Sequence, residues 1–204
     1  MSKIGFFIIP GKRNANKIYK YKKKIRDNFG EQIYLNHLPH ITLGVINVKD
    51  KLFKDFDLNI SKFQNKLINK RIEFYKSYIF KKDQLARNGD TLVYKIKKYK
   101  WLEELQIEIF NQLKEYKINY KKKKFREKWM NSNFAIYGYP FVGNSWIPHM
   151  TISSILENKQ NKKRIQIFEE NFLREKVSFD QKVNNITFFK INKNYNKLIK
   201  RYKI

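Results

Sequence analysis

Two short segments of this sequence share one arrangement of histidine and threonine. Residues 38–43 read LPHITL and residues 147–152 read IPHMTI, so His40 and His149 each follow a proline and each precede a threonine by two positions. The chain has 3 histidines and 4 prolines in all, and a matched pair of this kind is hard to ascribe to chance. The copies lie about half a chain apart, which indicates an internal duplication.

The four polar side chains of these segments have the properties that acid-base chemistry needs. In a β-strand alternate side chains share a face, so His40 and Thr42 point together, and so do His149 and Thr151. Two imidazoles with an ordinary pKa near ~6.5 can act as base and acid at neutral pH. The threonine hydroxyls can donate hydrogen bonds to phosphoryl oxygens on which negative charge accumulates.

The paired segments, their half-chain spacing and the mixed order of strands and helices resemble the 2H phosphoesterase superfamily. This family includes RNA 2′-5′ ligase-like proteins and cyclic phosphodiesterases. The resemblance implies a bilobal α+β fold, with pseudo-two-fold duplicated antiparallel sheets and flanking helices around a central cleft. It implies that His40, Thr42, His149 and Thr151 are catalytic, and that the substrate carries a 2′,3′-cyclic phosphate or a 2′-5′ linkage at a ribose. It also predicts that residues 1–204 form one domain made of two intertwined lobes.

Periodicity predicts the elements that hold these segments. Strands are predicted at 4–9, 38–45, 72–80, 91–96, 134–137, 147–153, 177–179 and 186–191, with a turn at 88–90. Helices are predicted at 14–28, at 58–68, at 101–116, and around Ile165, Phe168 and Phe172. Hairpin-like strand pairs among helices favour α+β over a doubly wound parallel fold.

The composition favours an anionic partner. Lys and Arg number 45 against 18 Asp and Glu, giving a net charge of +27, and such a surplus attracts polyanions such as RNA. An AT-rich gene would also raise the lysine content, but it would raise glutamate equally, and glutamate is not abundant. We therefore expect an RNA, oligonucleotide or cyclic nucleotide substrate.

Other chemistries and locations are less compatible with the sequence. The absence of cysteine excludes disulfides and thiolate chemistry, and neither histidine segment carries an acidic neighbour suited to zinc, so no metal and no cofactor is expected. No signal peptide or transmembrane segment is recognisable, so we expect a cytoplasmic protein without membrane contact. No obligate protein partner is evident.

Further substrate contacts are predicted outside the two segments. The loop 137–146 is rich in aromatic residues, and Phe141 and Trp146 could stack on a base or close the core. Arg126, at the end of a basic run, could grip a phosphate, although such a run is more often a solvated connector. His37 belongs to no repeat and is interpreted as a loop residue.

The function expected from these features is a metal-independent phosphodiesterase that acts on RNA ends or oligonucleotides. A non-catalytic RNA- or nucleotide-binding module of the same fold and an RNA 2′-5′ ligase are the alternatives. The sequence leaves open which histidine is the acid and which is the base.

Overall fold

The computed structural model describes residues 1–54, 56–118, 125, 127–157, 160–191 and 196–204. Over these residues the chain forms the following strands and α-helices: β1 (Ser2–Ile8), α1 (Lys12–Phe29), β2 (Ile41–Val48), α2 (Asp50–Phe53), α3 (Gln64–Leu67), β3 (Arg71–Asp83), β4 (Gly89–Ile96), α4 (Lys100–Gln112), α5 (Lys128–Tyr137), β5 (His149–Ile155), α6 (Lys162–Leu173), β6 (Phe179–Lys182), β7 (Asn185–Ile191) and β8 (Asn196–Lys203).

The strands form one antiparallel sheet in the order β6-β3-β4-β5-β2-β1-β7-β8. Strands β2 and β5 meet only at the pair Ile41 and Met150, whereas the neighbouring strand pairs on either side have extended ladders. This joint divides the sheet into a first half-sheet, β2-β1-β7-β8, and a second half-sheet, β6-β3-β4-β5. The predicted α+β class with duplicated antiparallel strands is therefore confirmed.

The two longest helices each cover the half-sheet to which their own flanking strands do not belong. Helix α1 connects β1 to β2, yet it packs on the second half-sheet, where its Tyr21 contacts Tyr94 of β4. Helix α4 connects β4 to β5, yet its Phe110 packs against Phe6 of β1 in the first half-sheet. Each half-sheet is therefore covered in part by a helix that connects strands of the other half-sheet, and α6 also packs on the second half-sheet through Phe172.

Most of the predicted elements are present, with shifted ends. The predicted helix at 14–28 is α1, the helix at 101–116 is α4 followed by a 3-10 turn at Lys114–Tyr116, and the last predicted helix is α6. The segment 58–68 is only partly helical, because it divides into a 3-10 turn at Ile60–Lys62 and the single turn of α3.

Three predictions of local structure were wrong. Residues 134–137 belong to helix α5, because Gly138 adopts φ 72° and its amide caps the carbonyl of Phe134, which overrides the β preference of the aromatic residues. The turn between β3 and β4 lies before 88–90, since Arg87 and Asn88 already have left-handed backbones. Strand β8 was missed because its eight residues include four cations that read as a basic tail.

Candidate active site

The two histidine segments meet at the joint between the half-sheets. Ile41 and Met150, the paired residues, are fully buried and point into the core. Continuing that antiparallel register by one residue places His40 beside Thr151 and Thr42 beside His149, on the opposite face. The two histidines therefore lie on the same face of the sheet, one on each side of the joint.

Both imidazoles are held by the same hydrogen bond. His40 donates from Nδ1 to the carbonyl of Leu38 at 2.6 Å, and His149 donates from Nδ1 to the carbonyl of Ile147 at 2.7 Å. A carbonyl oxygen can only accept, so the proton of each neutral ring lies on Nδ1. The Nε2 atom of each ring is thereby left with a lone pair for proton transfer.

Each motif strand contains a bulge at the same place. The register of β1 against β2 shifts at Leu43, and that of β4 against β5 shifts at Ile152, three residues after His40 and His149 respectively. A bulge twists a strand locally and re-aims the side chains next to it. The shared position supports a common origin of the two segments and gives both histidines the same local backbone.

An aromatic ring lies against each histidine. The ring of Phe7 on β1 is 4.3 Å from that of His40, and the ring of Phe80 on β3 is 5.1 Å from that of His149, measured between centroids. These contacts restrict the rotation of both imidazoles. They also remove water from one side of each ring.

The surroundings keep both histidines neutral. Burial lowers the pKa of His40 to about 4 against the opposing effect of its bond to Leu38, and positive charge on His37, Lys22 or His149 acts in the same direction as burial.

The charges around His149 are mixed. Burial lowers the pKa of His149, and Lys95 adds to the effect, whereas the bond to Ile147 and the carboxylate of Asp83 oppose it. Both residues are half-buried, so part of their surface remains open to solvent.

Helices α1 and α4 each contribute one buried side chain that holds the loop leading into a motif strand, β2 or β5. Lys22 of α1 is 3% exposed and donates to the carbonyl of Tyr34 at 2.6 Å and to that of His37. Gln106 of α4 is fully buried. Its side-chain amide donates to the carbonyl of Phe141 at 3.0 Å and to the carbonyl of Leu43 in β2 at 2.6 Å. Its side-chain oxygen accepts from the amide of Gly143 at 2.9 Å.

Thr42 and Thr151 are half-buried beside the histidines. Within the described part of the chain, neither hydroxyl makes a hydrogen bond to another residue. Both are therefore available as donors to a group that enters the cleft.

The remaining predicted contacts are placed differently from one another. Trp146 is 4% exposed and belongs to the core, and Phe141 is half-buried between Trp129 and Tyr139, so stacking of a base on either ring stays a prediction. The ring of His37 packs on Tyr34, and its backbone carbonyl accepts a hydrogen bond from Lys22. Arg126 lies outside the described residues.

Several residues at the site were not anticipated from the sequence. These are Phe7, Phe80, Asp83, Lys95 and Lys22. Only Lys22 left a recognisable signal, because it lies between Ile18 and Ile25 at the spacing of a buried helical stripe. The others are brought to the histidines by strand pairing.

Two kinds of feature are absent from the residues that the structure describes. No three side chains of the metal-ligating types come together there. No described helix is long and apolar enough to span a bilayer.

The comparison with protein families identifies the class of protein. The family model of the 2′-5′ RNA ligase superfamily matches residues 15–194. The chain therefore belongs to this superfamily, which is the 2H phosphoesterase family that its two histidine segments resemble. The superfamily comprises RNA ligases and phosphodiesterases. A comparison with curated protein sequences gave no match.

Solved structures share the fold over nearly the whole chain. Escherichia coli LigT complexed with 3′-AMP is 12% identical, with 100% of this chain and 98% of that chain covered and a TM-score of 0.53. LigT in apo form is also 12% identical, with coverages of 99% and 96% and a TM-score of 0.54. The protein TT0787 of Thermus thermophilus is 9% identical, with coverages of 98% and 97% and a TM-score of 0.54. At these identities the likeness establishes the fold.

Proposed function

We propose that this protein is a metal-independent phosphodiesterase that cleaves a phosphodiester at a ribose in RNA ends or oligonucleotides. The reacting group would be a 2′,3′-cyclic phosphate or a 2′-5′ linkage. The observation that carries the proposal is the matched anchoring of His40 and His149, each bonded through Nδ1 to the carbonyl two residues earlier. Simple binding would not require two neutral imidazoles whose free nitrogens face one cleft.

In this mechanism the phosphoryl group lies between the two histidines. One Nε2 removes a proton from the attacking water, whose oxygen forms a bond to phosphorus. The other histidine, in its protonated form, gives its Nε2 proton to the ribose oxygen as the phosphorus–oxygen bond breaks. Thr42 and Thr151 donate to the non-bridging oxygens, on which charge accumulates.

The surroundings of the histidines favour one division of these roles. His40 lies near the ammonium group of Lys22 and stays neutral, which suits the base. His149 lies near Asp83, which stabilises an imidazolium and suits the acid. A bound phosphate dianion or monoanion raises the pKa of both rings, so the acid acquires its proton when substrate is present.

The comparisons support a nucleotide ligand. Structures of LigT are described as complexed with 3′-AMP, with ATP and with NADP+, all of which carry a ribose phosphate. The crossing of α1 and α4 between the half-sheets supports the proposal that the chain acts as one domain of two intertwined lobes, because each half-sheet is covered in part by a helix that connects strands of the other half-sheet.

The test is a turnover assay in EDTA with the wild type, His40→Ala and His149→Ala. The panel contains RNA with a 2′,3′-cyclic phosphate end, 2′-5′ and 3′-5′ oligoadenylates, and a cyclic oligonucleotide. We expect each substitution to reduce kcat on the accepted substrate by about 10²- to 10⁴-fold, the usual contribution of a positioned acid or base. His37→Gln is the control, since the contact of His37 to Lys22 uses its backbone carbonyl and would persist.

Two results would contradict the proposal. Loss of wild-type turnover on addition of EDTA would show that a metal is needed. Absence of turnover on the whole panel together with tight RNA binding would favour the non-catalytic binding module. Formation of a 2′-5′ bond from a cyclic-phosphate end and a free hydroxyl would identify the ligase direction of the same chemistry.

A further inference from the structure

A strip of aromatic and basic side chains runs from His149 across the second half-sheet. It consists of Phe80, Tyr78, Lys95 and Lys76, and we refer to it as the lysine strip. The ring of Phe80 is 5.1 Å from the His149 ring and 5.1 Å from the Tyr78 ring. Lys95 pairs with His149 across β4 and β5, and Lys76 pairs with Lys95 across β3 and β4. These residues therefore share the face that carries the histidine.

The two lysines of the strip oppose each other directly. Like charges at directly opposite positions of an antiparallel pair are destabilising. Neither Lys76 nor Lys95 forms an ion pair with a carboxylate within the described ranges of the chain. The neighbouring Lys97 and Lys98 do, with Glu73 at 3.5 Å and with Glu103 at 2.9 Å. The uncompensated charge of Lys76 and Lys95 thus lies in the pairing row that contains His149.

Lys95 is positioned without being neutralised. Its Nζ lies 4.4 Å from the centroid of the Tyr78 ring. A cation-π contact of this kind orients the ammonium group but leaves its full charge, whereas a carboxylate would cancel it. An anion that approaches along the strip therefore meets a charge that is already in place.

The first half-sheet has no equivalent of this pair. Continuing the register of β1 and β2 by one residue places Ile9, which is uncharged, beside His40. Ile9 is in turn bonded through its backbone to the side chain of Asn185 at 3.1 Å. The two positions that are lysines beside His149 are thus occupied by neutral residues beside His40. The two sides of the site therefore differ in charge at these equivalent positions.

We infer that the lysine strip binds the nucleotide next to the reacting one in a single-stranded RNA, with its phosphate on Lys95 and Lys76. The exposed parts of Tyr78 and Phe80 offer a stacking surface for its base, and every base has a face that can stack. The inference rests on the proposed function for the reacting group. It adds that the substrate is an oligonucleotide which leaves the site across β4 and β3.

The inference is tested first by binding. The probe is a fluorescein-labelled single-stranded decaribonucleotide, and its affinity is measured by anisotropy at several salt concentrations. The proteins are the wild type, Lys76→Met, Lys95→Met and Lys66→Met. Lys66 is the matched control, because it is an exposed lysine of α3 away from the strip, and its substitution removes the same charge.

We expect Lys76→Met and Lys95→Met each to weaken binding by about three- to tenfold and to reduce the salt slope by about 0.7, the value for one phosphate contact in a single strand. Lys66→Met should change neither quantity by as much. The melting temperature of Lys76→Met should not be lower than that of the wild type, because the substitution removes the repulsion between Lys76 and Lys95. Equal losses in all three variants would reduce the effect to net charge and overturn the inference.

A second measurement separates this inference from the proposed function. The kcat/KM of the decanucleotide relative to the matching mononucleotide should fall in both strip variants. If no substrate is turned over but the strip variants still lose RNA affinity selectively, the proposed function fails and the strip stands. If turnover occurs and the ratio is the same in wild type and variants, the strip fails and the proposed function stands.

Discussion

The loops that lead into the two motif strands are held in the same way by different chemical groups. In the first half of the chain the buried ammonium group of Lys22 binds two loop carbonyls. In the second half the buried amide of Gln106 binds one loop carbonyl and one loop amide. Each of these residues belongs to a crossing helix, and each loop ends at a catalytic candidate.

The comparison shows that two loops can be held in the same way and still differ in the charge that surrounds their histidines. An amide positions a loop and leaves the neighbouring histidine unaffected, whereas a buried cation also disfavours protonation of the imidazole beside it. Burial lowers the pKa of Lys22 itself to about 8, with Arg26 adding to the effect, so the group is mostly charged at neutral pH. The pseudo-symmetric pair His40 and His149 is therefore asymmetric in its protonation.

The largest expected effect comes from the neutral anchor. Gln106→Leu would leave buried backbone groups of Leu43, Phe141 and Gly143 without partners, and we expect the free energy of unfolding to fall by about 3–5 kcal/mol. Urea denaturation at pH 7 measures this. Asn111→Leu, at an exposed position of the same helix, is the control. A similar change in both variants would mean that the anchor contributes little.

The residue that follows the bulge differs between the two motif strands. It is Gly44 in β2 and Ser153 in β5. A Cβ on Gly44 would lie 2.3 Å from Phe6 and 2.4 Å from Phe110, so Gly44→Ala should destabilise by about 2–3 kcal/mol through overpacking. Ser153→Ala should cost about 1 kcal/mol, since it loses a single bond of 2.9 Å to the carbonyl of Ile33. Thermal denaturation ranks the pair, and the reverse order would contradict this account.

The free energy of unfolding should depend on pH through His40. Unfolded His40 takes up a proton below its ordinary pKa, whereas folded His40 does so only near the lowered value of about 4. Stability should therefore be lost as pH falls from about 6.5 toward about 4. Between pH 7 and pH 5 we expect the wild type to lose about 1–2 kcal/mol more than His40→Gln, because partial exposure of His40 reduces the full linkage value.

The corresponding change for His149→Gln should be smaller, because Asp83 opposes the lowering of the His149 pKa. Denaturant unfolding of the three proteins at both pH values provides the data. Parallel loss of stability in all three would exclude a folded histidine with a lowered pKa.

The smallest effect, and the most specific, is expected from exchanging the anchor type. Lys22→Gln gives the first half the neutral group that the second half uses, and the His40 pKa should rise by about half a unit to one unit. NMR titration measures this directly, because the chain has 3 histidines. Lys22→Arg should keep the wild-type titration, and Lys23→Gln, at an exposed position of the same helix, is the control. An unchanged His40 titration in Lys22→Gln would show that the anchor is purely mechanical.

The sequence predicts the motif strands well because burial on one face imposes alternation. Ile41, Leu43, Met150 and Ile152 are fully buried, and the intervening threonines are not. It does not predict the partners of Lys22, because the acceptors are backbone carbonyls that have no signature in the side-chain pattern. Phe80 reaches His149 only because β3 and β4 pair in one particular register, which is a tertiary property.

Errors in the local predictions have the same origin. The aromatic residues of α5 favour a strand by themselves, and the capping geometry of Gly138 decides otherwise. Strand β8 is ordered by its ladder with β7 and by the burial of Tyr202, neither of which is visible within its own eight residues.

The pairing of β1 with β7 has a consequence for biosynthesis. Strand β1 is made early, but the strand that covers its second edge is Asn185–Ile191. At typical translation speeds this leaves the edge open for about 10–40 s. During that time Ile4, Phe6 and Ile8, all buried in the finished fold, have no complete sheet to join. The nascent chain is therefore exposed to edge-to-edge aggregation on the ribosome until Asn185–Ile191 has been synthesised.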